Sequence, residues 1–439
     1  MPVALYWVLM RCSILFLASL MPIAVLAQPV AYIGARIIPV AGPEINDGVL
    51  LIEGGKIRAV GGRAAVAIPA GAKRVDMTGK VIMPGLVDSH SHVGGPAGAD
   101  GSAPIQPEVR VLDSINVRAA SIQKAQAGGV TVANIMPGSG HLNSGQTLYL
   151  KLRDGNTIDD LLIKLPDGGI AGGMKMANGT NPRRAAPFPG TRGKAAAMMR
   201  EQLIKAQEYR DKVKAAAGDA TKLPPRDLRS EGLVEVLDRK RVVHFHTHRH
   251  DDILTVLRLA KEFNFKVVLQ HASDAWAVAD EIAKAQVWTS LIVLDSFGGK
   301  IEAKDVTPEN AAILDRAGAP FGFHTDDSVT ESRLFLRSAA MAVRAGCPRD
   351  KALYALTMAG ARMLELDSRT GSLEVGKDAD FIVLSGDPFS VYTNVLQTFV
   401  DGVNVFDRSN EKDKLYQTGG YGASHDELDF TLIHGPEEQ

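Results

Sequence analysis

Eight of the eleven histidines fall in four places: His90 and His92; the alternating run His244, His246, His248 and His250; then His271 and His324. Neutral imidazoles are good ligands for divalent ions, and several converging on one point suit Zn²⁺ or a similar cation. Each group lies at or just past the C-terminal end of a short apolar run that reads as a strand. In a β/α barrel, that end is where sites are built. His90 and His92 are two apart on a strand, so both point to one face. Alone, an HxH is as often a pair of ordinary polar residues. Here it follows Pro84 and Gly85 and is joined by three later groups.

In VVHFHTHRHDDI a full-length strand would place all four histidines on one face. A helix expected from about Asp251 ends the strand near His246. His246 is therefore the expected ligand, with His248 just beyond it at the mouth. His244 lies one layer deeper and reads as a core histidine, and His250 reads as solvated. His271 ends the strand KVVLQH and is the natural further imidazole. GFHTDDS closes another strand with two carboxylates. One of them could hold a metal and also take a proton from water activated there. Asp326, nearest the strand end, is the expected ligand and general base. His248 is the next candidate proton acceptor, and Asp327 reads as supporting or solvated.

These residues need a frame. Candidate strands VIMPGLVDSH, GVTVANIM, KVVLQH and APFGFHTD alternate with helical periodicity, which predicts βα units and a parallel sheet. One helix places Ile253, Val256, Leu257 and Ala260 on a stripe with Asp251 as N-cap. Another runs from Ser332 to a stop at Gly346. Thr191 to Ala217 is a long polar-and-Ala helix behind a Pro/Gly-rich loop, Thr180 to Gly190. It reads as an insertion that could cover a site. At both chain ends, short β-branched runs are broken by Gly, Pro or Asp. The predicted organisation is a leader (1–27), a barrel (84–370), a small β domain split between 28–83 and 371–409, and a surface tail (410–439). A third barrel strand is indistinct and falls somewhere between Gln146 and Lys164.

The 439 residues are 45% hydrophobic and 23% charged, which is ordinary soluble-enzyme composition. Lys plus Arg is 49 against 50 for Asp plus Glu, which argues against a basic nucleic-acid-binding surface. Two cysteines exclude a disulfide-built scaffold. Cys347 has no histidine partner motif and reads as inert. Gly94 to Gly101 lacks the GK[ST] ending of a phosphate loop and reads as a βα loop over the site. Asn178-Gly179-Thr180 is a glycosylation sequon and reads as without consequence.

PGLVDSHSH after a β unit, the HxH of HTHRHDDI, the lone His271, the TDD at 325–327 and the closing GSLEVGKDADFIVL together resemble the amidohydrolase superfamily. The likeness runs from about Ala31 to Arg408. It is nearest the imidazolonepropionase-related and prolidase-like members, and GMKMANGTNP resembles a segment of exported ones. The resemblance implies an α/β fold: a distorted (β/α)8 TIM barrel with a small β-sandwich domain formed from both chain ends. It implies that His90, His92 and Asp326 hold one metal. His246 and His271 would hold a second, with carboxylated Lys175 bridging. A single-metal site of His90, His92, His246 and Asp326 is the other arrangement in such members. TMAGARMLEL departs from the family by lacking the Asn-Pro often found after the Thr, which touches helix packing rather than ligands.

The function that follows is metal-dependent hydrolysis of a small amide: a dipeptide, an N-acyl amino acid or a cyclic amide. Two other readings stay open. One is a non-catalytic scaffold of the same fold. The other is lactone or phosphoester hydrolysis, or deamination, at the same metal site. Arg249 and the 176–230 insertion are candidates for binding a substrate carboxylate. A homo-oligomer is compatible with the sequence.

Ser13 to Ala27 is apolar, follows Arg11 and ends in small residues, the layout of a secretory signal peptide. An uncleaved anchor is the other reading. The residues before Arg11 are apolar for a leader, so Met10 is the expected start. Cleavage after Ala27 would remove Cys12, leave no membrane span and send the protein to the periplasm or medium. N-terminal sequencing of the exported protein should begin at or near Gln28; retention of Leu15 to Ala27 would mean an anchor.

Overall fold

The computed structural model describes residues 28–96, 100–293 and 300–419. The expected leader lies outside them, as do residues 97–99 of the Gly-rich loop and the end of the tail.

The first strands are β1 (Val30–Ile37), β2 (Ile45–Glu53), β3 (Lys56–Gly62), β4 (Lys73–Asp76) and β5 (Val81–Pro84). They share one sheet with the last three, written here β15 (Phe381–Leu384), β16 (Val395–Val400) and β17 (Val403–Asp407). β5 and β15 pair antiparallel, which joins the two chain ends. The expected two-layer sandwich is instead one hydrogen-bonded sheet of eight strands. It curls until Lys56 at the start of β3 bridges Asp378 just before β15. Tyr32, Phe381 and Phe399 pack inside the curl, with Phe381 and Phe399 stacked at 4.3 Å.

Gly85 turns the chain out of this sheet. A Cβ there would lie 2.2 Å from the Thr131 side chain, so only glycine permits the approach. The ring strands follow: β6 (Leu86–Ser91), β7 (Val130–Ile135), β8 (Asn143–Gln146), β9 (Leu148–Lys151), β10 (Met174–Ala177), β11 (Val243–Thr247), β12 (Val267–His271), β13 (Trp288–Ile292) and β14 (Phe321–His324). β10 to β14 are consecutive parallel neighbours, and β6 pairs parallel with β7. Nearly all their residues are buried, as parallel strands covered on both faces require.

The distortion of the ring lies at its third strand. β8 runs antiparallel to β10, and β9 runs antiparallel to β7. They form one bent, reversed stretch between the two parallel groups. The chain turns back after β7 with no helix between, so it can only descend beside the strand it has left. β9 falls within the Gln146–Lys164 window expected for the third strand, but its reversed direction and β8 carry no sequence signal, because two four-residue pieces have no usable alternation.

Among the helices, Arg192–Ala215 matches expectation, with Thr191 Oγ1 accepting from the Lys194 N–H at 3.2 Å. Helix His250–Phe263 buries Ile253, Val256 and Ala260 as expected, but Asp251 is not its cap. The Asp251 carboxylate is held by the Arg249 side chain at 3.0 and 2.9 Å, and helix geometry starts one residue earlier. Ser332–Leu334 is a 3-10 turn leading into helix Phe335–Arg344. The tail is not all irregular: Glu411–Thr418 is a helix, and Gln417 donates to the carbonyls of Ala127 and Val395. No helix among the described residues is long and apolar enough to cross a membrane.

At the base of the ring, Lys151 on β9 is fully buried against the small sheet. Its ammonium donates to Asp378 at 2.6 Å and Asp380 at 3.2 Å, and also to Asp401. Arg153 reaches Asp401 at 2.6 Å. Removing one partner of a buried ion cluster leaves uncompensated charge, at about 3–5 kcal/mol. Lys151→Met should lower stability by that order in urea unfolding, while Lys205→Met, at an exposed pair with Glu201, should cost under about 1 kcal/mol. Equal losses would mean that the buried cluster is not the joint between ring and sheet.

Candidate metal centre

His90 on β6 and His92 just after it come from one side of the ring seam, and Asp326 after β14 comes from the other. Asp88 joins the two. Its buried carboxylate accepts from the Thr325 N–H at 3.1 Å, the Thr325 hydroxyl and the His90 N–H at 3.2 Å. The Asp326 N–H donates to the His90 carbonyl at 2.9 Å. Burial pushes the Asp88 carboxyl up to about 7, against the hydrogen bonds that favour its charge. With the seam fixed, Asp326 Oδ1 lies 3.0 Å from His92 Nε2 and 3.2 Å from His90 Nε2.

The outer nitrogens of these rings are anchored. His92 Nδ1–H donates to the Met136 carbonyl at 2.7 Å. His90 Nδ1 meets Gln270 Oε1 at 3.3 Å; the Gln270 amide donates to His244 Nδ1 at 3.1 Å, and His244 Nε2 meets the Tyr149 hydroxyl at 2.8 Å. This chain is consistent only with Nδ1–H on His90, which turns its Nε2 lone pair inward. His244 is thus the satisfied core histidine that its depth predicts.

Four more imidazoles complete the cluster. His246 ends inside β11 and His248 lies just past it; their rings are 4.7 Å apart. His248 Nδ1 meets Ser273 Oγ at 2.8 Å. On β12, Gln270 faces inward beside His246, so strict alternation would turn His271 outward. Instead His271 is left-handed, with φ +67°, and its ring swings back to within 4.4 Å of His246. Asp326 is left-handed as well, at φ +52°. Such strain concentrates where a site must be held in one arrangement. His324 meets His271 Nδ1 at 3.1 Å and is braced by Ser290 at 2.8 Å. Lys175 is fully buried on β10, its Nζ 3.1 Å from His90 Nε2.

Burial, reinforced by the Lys175 charge, holds His90 well below the usual histidine value. Burial lowers His248 and His324 to about 3. Burial alone would raise the Asp326 carboxyl, but the neighbouring His90 and His271 outweigh it and hold it well below the usual carboxylate value. Neutral imidazoles beside a carboxylate form a metal-ligand donor set. The residues also pass a direct test of fit. Both ring nitrogens of His246, Nε2 of His248 and Nε2 of His271 are buried without a hydrogen-bond partner. Unmet buried polar groups are costly, at about 1–3 kcal/mol each, and a cation would take the one lone pair that each neutral ring offers. His90, His92 and Asp326 offer atoms within 4.8 Å of one another, and so do His90, His271 and His324.

The structure therefore brings together all the predicted site residues: His90, His92, Lys175, His246, His248, His271 and Asp326. Asp327 stands apart, buried rather than solvated, accepting from the Ser332 N–H at 2.7 Å to hold the next turn. His250 is half exposed, as expected. Arg249 pairs with Asp251 and lines a cavity of about 730 Å³ beside the mouth. A larger cavity, of about 810 Å³, lies at the opposite end of the strands, around Val242, Val267 and Trp288, away from the histidines. Two residues of the cluster had no role assigned from sequence: His324, and Glu302, whose carboxylate lies within 4.8 Å of His246 and His248.

Comparison with known proteins agrees with this geometry. Residues 81–405 match the model of the amidohydrolase family. An amidohydrolase structure from Thermotoga maritima MSB8 is 33% identical with a TM-score of 0.81, covering 86% of this chain and all of that one. Amidohydrolase tasK of Hapsidospora irregularis is 28% identical over 82% of this chain, which spans only 40% of that protein's length. A 5-methylthioadenosine/S-adenosylhomocysteine deaminase of Symbiobacterium thermophilum is 24% identical over 85% of this chain and 92% of its own.

The role of His244 can be checked by titration. Its folded value is lowered to about 3 against about 6.5 unfolded, so the unfolded chain binds the extra proton as pH falls between them. Its contribution is therefore present above pH 6.5 and is lost as pH falls toward 3. In chelator-treated protein, His244→Asn should flatten the fall of unfolding free energy between pH 6 and 4 by about 1.4 kcal/mol per pH unit. An unchanged slope would mean that His244 titrates in the folded state.

Proposed function

The chain belongs to the amidohydrolase family, and from that premise we propose that it is a metal-dependent hydrolase that cleaves the carbon–nitrogen bond of a small amide such as a dipeptide, an N-acyl amino acid or a cyclic amide. The observation that carries this reading is the convergence of His90, His92 and Asp326 across the ring seam, at the strand ends where barrel enzymes build their sites. A divalent cation, Zn²⁺ given the imidazole-rich donors, would be held by these three residues and supply a Lewis acid and a water of lowered pKa.

The chain's own groups do the rest. Asp326 Oδ1 is engaged by His90 and His92, while Oδ2 has His271 Nδ1 only at 3.7 Å. Oδ2 is thus the oxygen placed to take a proton from the attacking water and pass it to the leaving nitrogen. In a one-metal site His248, held neutral and with Nε2 unpartnered, is the second proton acceptor. The buried walls exclude bulk water, which strengthens each of these contacts. Lys175 supports a two-metal variant of the same reading. It lies among the imidazoles, where a carboxylated side chain would bridge two cations, the second bound by His246 and His271.

Asp326→Asn keeps the size and one acceptor oxygen of the side chain but removes its basicity. A positioned general base contributes about 10²–10⁴-fold. In a screen of dipeptides and N-acyl amino acids, with metal content measured alongside, Asp326→Asn should lose at least about 100-fold in kcat. Asp327→Asn should lose far less, because that carboxylate serves Ser332. A near-normal rate for Asp326→Asn with metal retained would move the proton acceptor to His248.

A further inference from the structure

Glu302 lies in a 3-10 turn after β13, in a part of the chain with no strand or helix periodicity. Its side chain is 1% exposed. One carboxylate oxygen, Oε2, accepts from the Thr180 N–H at 2.8 Å and from Arg192 at 3.2 Å. The other, Oε1, is buried with no hydrogen-bond partner. The loop around it is shaped to this carboxylate: a Cβ at Gly179 would lie 2.7 Å from Oε2, and Gly179 itself has φ +80°. The Asn178-Gly179-Thr180 run, without consequence as a sequon, thus becomes the cradle of an acid.

The nearest metal-ligating groups are His246 and His248, whose ligand atoms and that of Glu302 all fall within 4.8 Å of one another. His248 is oriented by Ser273 so that Nε2 faces inward, and Nε2 has no partner. Neither nitrogen of His246 has one. Two neutral imidazoles and a carboxylate with ligand atoms within 4.8 Å of one another, two of them fixed from behind, are a donor set for a three-ligand cation site. A carboxylate pinned through one oxygen and open at the other is how a ligand is held for a metal. Arg192 and the Thr180 N–H play the orienting part here.

We propose that Glu302, His246 and His248 hold a second divalent cation at the mouth of the cluster, making Glu302 a metal ligand supplied by the loop after β13. This rests on the reading that His90, His92 and Asp326 hold the first. It differs from the Lys175-bridged pair in which His246 and His271 hold the second.

The test is metal stoichiometry and affinity of the full chain, stripped with a chelator and titrated with Zn²⁺ against a chromophoric competitor. Wild type should bind two equivalents. Glu302→Gln should lose the second or weaken it by at least about 100-fold, since loss of supporting residues alone costs about 10–100-fold. His248→Ala should do the same. Arg192→Gln breaks the ion pair with Glu302 but keeps the carboxylate, so it should retain both equivalents, with the second weakened by no more than about 10–100-fold. Lys175→Met should retain the second equivalent too. The proposal is overturned if Glu302→Gln binds two equivalents with wild-type affinity. It is also overturned if Lys175→Met loses the second equivalent while Glu302→Gln keeps it, which would assign the bridged arrangement. Glu302→Gln with full metal but a raised KM only for substrates bearing a free amine would make Glu302 an ammonium receptor and likewise overturn the metal assignment. Failure of the underlying reading looks different: wild type would bind no Zn²⁺, or a His90→Ala/His92→Ala double variant would bind as much as wild type.

Discussion

The ring is closed by a buried carboxylate. Asp88 takes hydrogen bonds from Thr325 and from the His90 backbone, and so ties the first strand of the ring to the loop after the last. Everything chemical at the mouth depends on that register. A slip of one residue at this seam would exchange inward and outward faces and separate His92 from Asp326. The high carboxyl value of Asp88 reflects its depth rather than any part in catalysis. It touches backbone and a threonine, and reaches the reacting groups only through the chain it fixes.

The left-handed residues follow from the same requirement. Parallel strands deliver side chains inward at every second position. Alternation alone would give Gln270 to the interior and His271 to the helices. The observed arrangement keeps both inside: Gln270 to orient His90 and His244, and His271 to face His246 and His324. A positive φ at His271 makes that possible. The local cost is a strain of about 1–3 kcal/mol, which the surrounding packing must cover.

Much of this was legible in the sequence, for identifiable reasons. Period-two spacing at the ends of apolar runs singled out His90, His92 and His246, nearness to a strand end singled out Asp326, and depth along the strand separated His244 from its neighbours. Lys175 came only by resemblance, since an isolated Met-Lys-Met carries no chemical signal. The inward turn of His271 is a backbone property that residue identity does not encode. The reversed stretch β8–β9 escaped because it is two short pieces, and Asp251 was misplaced because a neighbouring arginine competes for a capping carboxylate. Glu302 escaped because an irregular loop has no period; only the fold shows what it faces.

The two ends of the ring make the same kind of material do different work. At the base, Asp378, Asp380 and Asp401 also lie close enough together to bind a cation. There the cation is already part of the chain: the Lys151 ammonium sits among all three, and Arg153 and Lys56 engage two of them from outside. Charge and hydrogen bonds are met, and the cluster serves as a joint between ring and sheet. At the mouth, Lys175 lies among the imidazoles, Lys300 acts on His246 and His248, and Arg192 holds one oxygen of Glu302, yet nitrogens of His246, His248 and His271 and the other oxygen of Glu302 have no hydrogen-bond partner. A folded chain leaves few buried polar atoms without partners. Several gathered at one end of a barrel, beside two strained residues, are explained by a ligand that the chain must take up from outside. The contrast between an acidic cluster whose partners lie within the chain and a histidine cluster with unpartnered nitrogens locates the chemistry better than cavity size, since the larger cavity lies at the wrong end.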